Sequence, residues 1–75
     1  MRPHELRALR LNRLRLSQNE LGRFLELDAL DPGRTVRTWE SGRAPIPGYV
    51  RVATRLELEN RRLRRKVERL KRRAK

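Results

Sequence analysis

Leu16-Ser17-Gln18-Asn19-Glu20-Leu21-Gly22-Arg23-Phe24-Leu25 and, after a turn, Arg34-Thr35-Val36-Arg37-Thr38-Trp39-Glu40-Ser41-Gly42-Arg43 decide how this chain folds. Ser17 and Glu20 stand three apart, the spacing of a capping box, so a helix starts at Gln18. Leu16 before the cap and Leu21 within the helix form a hydrophobic staple. Leu21, Phe24 and Leu25 follow at i, i+3, i+4 and make one apolar face of a helix running from Gln18 to about Glu26. A second start is written in Asp31-Pro32, with Asp as N-cap and Pro at the first helical position. Val36 and Trp39 form the inward face of that second helix, and Gly42 stops it. Arg34, Arg37 and Thr38 then point outward, and the pair reads as a helix-turn-helix.

Working outward, residues 3–15 read as a first helix with Leu6, Leu9 and Leu14 toward the core and Arg7, Arg10 and Arg13 around them. Gly22 is costly in a helix interior by about 1 kcal/mol against Ala, so its place calls for a packing reason. In the turn, Asp28 and Asp31 are turn and capping residues, not a cation site, and Leu27 or Leu30 plugs the core between the helices. Ala44-Pro45-Ile46-Pro47-Gly48 is the one obvious joint. Residues 49–73 contain no helix breaker, which predicts a rod of roughly 37 Å. Tyr49, Leu56, Leu63 and Leu70 recur every seven residues, and Ala53, Asn60, Val67 and Ala74 take the alternate positions, the a/d pattern of a coiled coil. Asn60 at an a position predicts a parallel two-stranded pairing in fixed register. The stretch through Leu56 is expected to pack on the domain and the remainder to project. The expected division is a domain at residues 1–56 and a basic helical extension at 57–75. The fold class is all-α, with four or five helices.

The chain has 75 residues, no Cys and a formal net charge of +12. A domain this small hides only about 60% of its unfolded surface, and without thiols the remaining staple is oligomerisation. Residues 55–75 hold eleven Lys or Arg against three Glu, a net of +8, which leaves +4 on the rest. Such charge calls for an acidic partner, and nucleic acid fits better than an anionic membrane surface. No stretch approaches the roughly 18 apolar residues of a membrane span. Met1-Arg2-Pro3-His4-Glu5 leads straight into a mixed apolar and charged run, so no signal peptide is expected and a cytoplasmic setting is the default. Only three of the 21 basic residues are Lys, which suits bidentate contacts to phosphate and guanine. Gln18 sits at a helix start, where side chain and backbone N–H groups can meet a phosphate.

Leu-Ser-Gln-x-Glu-Leu followed by Thr-Val-x-x-Trp-Glu-x-Gly resembles the Cro and phage-repressor (XRE-type) helix-turn-helix regulators, over residues 6–56. The chain departs from that pattern between Leu25 and Thr35, where its turn is about four residues longer than the usual Gly-Val-Ser turn. The resemblance implies double-stranded DNA as partner. It places Arg34 and Thr38, with Gly33 beside them, at base-reading positions of the major groove, and Thr35, Arg37 and Arg43 near the flanking backbone. It also implies that an Arg of the first helix pairs with Glu40. Arg10 stands one residue further from Gln18 than is usual, which leaves Arg13 as the alternative. It assigns Gly22 to a close crossing of the two helices. Trp39 reads as core; base stacking is the sharper alternative.

No catalytic constellation emerges, because the lone His4 has no acid partner and neither Ser17 nor Ser41 sits on a nucleophile elbow. No Gly-rich phosphate loop or zinc spacing is present, and no cofactor is expected. The expected function is a sequence-specific transcriptional regulator of phage or prokaryotic type, most simply a repressor. It would bind an inverted-repeat operator as a homodimer joined through Leu56, Asn60, Leu63, Val67 and Leu70. Two other readings are an antitoxin whose basic tail grips a toxin, and a nucleic-acid binder that uses charge alone.

Overall fold

A computed structural model describes residues 1–73, and among them there are four helices and no strand. Helix α1 begins at Pro3–Ala8 and continues as a π-helical stretch, Leu9–Leu14. It is followed by α2 (Gln18–Phe24), α3 (Gly33–Glu40) and α4 (Gly48–Arg73). Ala74, the last position of the heptad pattern, lies outside the described residues. The architecture is all-α, with a long C-terminal helix that stretches the molecule to 51 × 25 × 19 Å.

Among the described residues the core is six side chains: Leu6, Leu14, Leu21, Val36, Trp39 and Val50. Leu9, Leu16, Leu25, Leu27, Ala44, Ile46 and Leu58 pack around it. Trp39 is 4% exposed, which makes it a core residue and removes the stacking alternative. Leu27 closes the core under the turn; Leu30, the other candidate, is 97% exposed. Phe24, expected on the inner face of α2, is 38% exposed.

The capping box forms as the spacing predicts. Glu20 N donates to Ser17 Oγ at 3.0 Å, and Ser17 N donates to Glu20 Oε1 at 2.9 Å. The end of α2 comes earlier than expected. Glu26 adopts φ 57, its N–H donates to the Arg23 carbonyl, and Leu27 N donates to the Gly22 carbonyl. These two bonds make a Schellman ending built on a glutamate, so the helix stops at Phe24. At the end of α3 the same motif uses the expected Gly42, at φ 78: Gly42 N donates to Trp39 O and Arg43 N to Thr38 O.

The start of α3 corrects one expectation. Pro32 is the cap residue, with helical dihedrals, and Gly33 is the first helical position. Asp31 caps nothing with its side chain. Its carboxylate instead accepts both short bonds from Arg37 Nη2, at 2.9 and 2.7 Å. Asp28 keeps its turn role, accepting from Leu30 N at 2.9 Å.

The division at residue 56 also needs correction. Along α4, Val50 and Thr54 are buried and Leu58 is packed on the core. Arg61 then reaches back to the Leu14 carbonyl with Nη1 at 2.7 Å. The helix therefore serves the domain as far as Arg61, while residues 62–73 are all exposed. Among the described residues no helix is long and apolar enough to cross a membrane.

Candidate nucleic-acid interface

The junction of α1, α2 and α3 is held by a charged network. Arg10 is only 6% exposed, and its guanidinium binds Glu40 twice, Nε to Oε2 at 2.7 Å and Nη2 to Oε1 at 2.9 Å. Its remaining nitrogen donates to the Leu16 carbonyl at 3.1 Å, and Gln18 Nε2 donates to Glu40 Oε1 at 3.3 Å. This resolves the choice between Arg10 and Arg13 in favour of Arg10. The extra residue before Gln18 is absorbed by the π-helical Leu9–Leu14, where Arg15 at φ 55 ends the helix and Leu16 N bonds back to Arg10 O. Gln18, expected on a phosphate, has its side chain engaged inside the protein.

Helix α3 is docked by very close approach to α2. A Cβ placed on Gly22 would lie 1.8 Å from the Pro32 carbonyl oxygen. One placed on Gly33 would lie 2.3 Å from Asn19 Oδ1. Gly33 is therefore buried against the start of α2 and offers no side to a base; its assignment as a base reader is corrected to a packing role.

With Val36 and Trp39 facing inward, Arg34 is left exposed, and among the described residues its side chain has no ion pair. Thr38 is half-buried, its hydroxyl donating to the Arg34 carbonyl at 3.0 Å. Thr35 is half-buried and Arg43 exposed. Arg37 is about half exposed and spent on Asp31. Two arginines that spacing alone did not single out join this region. Arg7 and Arg15 line an open hollow together with Gln18, Arg37 and Ser41, beside the Arg10–Glu40 pair. Only the end of the first helix brings Arg15 there, and nothing in the heptad or capping patterns marks it.

At the entrance to α2, the Ser17 backbone N–H and then its hydroxyl hold the Glu20 carboxyl below its ordinary value, with Arg23 adding to the effect. The five positions assigned to pairing are exposed on one side of α4: Leu56, Asn60, Leu63, Val67 and Leu70. Set against protein-family models, curated proteins and solved structures, the chain matches none of them.

Proposed function

We propose that the chain is a sequence-specific, double-stranded-DNA-binding transcriptional regulator of the phage-repressor type, acting in the cytoplasm of a prokaryotic or phage-infected cell. One observation carries the reading. Helix α3 buries Val36 and Trp39 and turns Arg34 outward without an ion pair among the described residues, beside Thr38. An unspent guanidinium on a firmly seated helix suits bidentate contact with guanine in the major groove. The rest is supporting chemistry: a net charge of +12 attracts the phosphate backbone, and Arg7 and Arg15 beside the hollow, with the exposed Arg43, would contribute to that attraction. One such domain offers few base contacts, so a homodimer on an inverted repeat supplies the specificity, and a repressor works by covering a promoter.

The test is selection of bound sequences from a random DNA pool. A regulator of this kind enriches a short motif with two-fold symmetry. A pool that gains affinity with no shared motif would replace this reading with charge-only binding.

A further inference from the structure

The face of α4 turned away from the domain carries Tyr49, Val52, Leu56, Leu63, Val67 and Leu70, each between 47% and 58% exposed. The opposite face is occupied by the domain through Val50, Thr54, Leu58 and Arg61. Because α4 is unbroken, the stripe runs from Tyr49 to Leu70, roughly 32 Å. Its a/d spacing fits a second copy of the same helix.

Charge decides how that copy lies. Residues 62–73 carry eight Lys or Arg against Glu68 alone, a net of +7. Residues 50–61 carry Arg51, Arg55 and Arg61 against Glu57 and Glu59, a net of +1. Parallel pairing lays the two +7 halves side by side and sets Lys66 against the partner's Lys71. Packed helices are about 8–10 Å apart, close to the Debye length at physiological salt, so that repulsion is only partly screened. Antiparallel pairing lays each +7 half along the partner's +1 half. Among the described residues neither Glu59 nor Lys66 has an ion pair, and this arrangement brings them together.

We propose that α4 pairs antiparallel with α4 of a second copy, with Asn60 level with the partner's Leu63. This rests on the dimer of the proposed function and replaces the parallel zipper that Asn60 suggests. Leu56 then meets the partner's Val67, and Ala53 meets the partner's Leu70. At the margins Glu59 stands by the partner's Lys66, while Glu57 stays with Arg61 and Arg64 of its own helix, at 3.0 and 3.1 Å. The Asn–Asn bond of a parallel seam is given up, one polar layer against two continuous blocks of like charge. The two domains come to lie at opposite ends of the seam, their Thr54 residues about 22 Å apart along it, each beside the other's free helix end.

The chain has no Cys, so single thiols can report the geometry. Full-length Leu56→Cys and Val67→Cys proteins, one lengthened by a tag, are treated without DNA with a bismaleimide shorter than the roughly 16 Å between like positions. The expected result is a tagged–untagged product in the mixture, at least tenfold above the self-joined products of either variant. Leu56→Cys joining to itself as readily as to Val67→Cys overturns the proposal in favour of parallel pairing. An absence of any cross-linked product, with sedimentation showing monomer, overturns it in favour of an unpaired helix. None of these readouts uses DNA, so a failed sequence selection leaves them standing, and the reverse also holds.

Discussion

Arg10 and Glu40 are thirty residues apart in the chain and joined by two hydrogen bonds, 2.7 and 2.9 Å, with side chains 8% and 6% exposed. Removing one member of such a pair strands a buried charge. Arg10→Ala should cost about 3–5 kcal/mol, against a total stability of about 4–11 kcal/mol for a chain of this size. Glu40→Gln should cost less, because Arg10 keeps its bond to the Leu16 carbonyl. Urea unfolding followed by the fluorescence of Trp39, the only Trp, measures both. A loss under about 1 kcal/mol for Arg10→Ala, the range of an exposed pair, would show that the pair is not what holds the three helices together.

Gly22→Ala should run against helix propensity. Propensity alone favours Ala by about 1 kcal/mol. The new methyl would lie 1.8 Å from the Pro32 carbonyl oxygen, a backbone atom that cannot swing aside. Forcing α3 away from α2 should cost at least the 1–3 kcal/mol typical of overpacking, roughly. A thermal melt that moved upward would contradict the close crossing.

Some of this was legible in the sequence and some was not, for physical reasons. Ser17 and Glu20 announce α2 because both arms of a capping box are side chains at fixed spacing, and both arms form. The end of α2 is hidden because a left-handed terminus is signalled by glycine, and here Glu26 takes it. The turn of α1 that lets Arg10 reach Glu40 is hidden too, since an inserted π turn has no composition of its own. The heptad reports only the seam face of α4. It places Thr54 on the outside of a coiled coil, yet Thr54 is 1% exposed because the domain packs there. Gly33 matched a base-reading position by motif, but the longer turn ends with Gly33 buried against Asn19.

Glu26→Gly should stabilise the protein. A side chain at φ 57 works against the right-handed preference of L residues by about 1–2 kcal/mol, and glycine relieves this while adding entropy to the unfolded chain. The net gain should be on the order of 0.5–1 kcal/mol. Chemical denaturation checks it; a loss of stability would mean that the Glu26 side chain makes a contact worth more than the strain.

Acid should loosen the start of α2. The Glu20 carboxyl sits below its ordinary value, chiefly through the Ser17 backbone N–H and next through its hydroxyl. A depressed folded-state value means the carboxylate's contribution is present above the unfolded value and is lost as the pH falls through the folded one. Carbon-detected NMR should find Glu20 titrating below the same residue in the unfolded chain. Ser17→Ala should raise that midpoint only part of the way, because the backbone donor remains. An unshifted midpoint in the parent protein would remove Glu20 from the cap.

Arg34 and Arg37 should separate by contact type. Arg34 has no ion pair among the described residues, and Arg37 is spent on Asp31 at 2.7 Å, in a pair whose side chains are 48% and 46% exposed. A pair that open contributes only about 0.2–1 kcal/mol, so a phosphate can displace the carboxylate. Arg34→Ala should then cost about 1–3 kcal/mol on the selected site and little on random DNA. Arg37→Ala should weaken both DNAs alike and lower the salt slope by about one counterion. Asp31→Asn should do the opposite, freeing Arg37 and removing a carboxylate that repels the backbone. Its binding to random DNA should tighten while folding stability changes by less than about 1 kcal/mol. Anisotropy titrations across a salt series read all three variants. Equal losses on both DNAs for Arg34→Ala would take base reading away from Arg34. Unchanged random-DNA binding for Asp31→Asn would show that Asp31 does not hold Arg37 back from the phosphates.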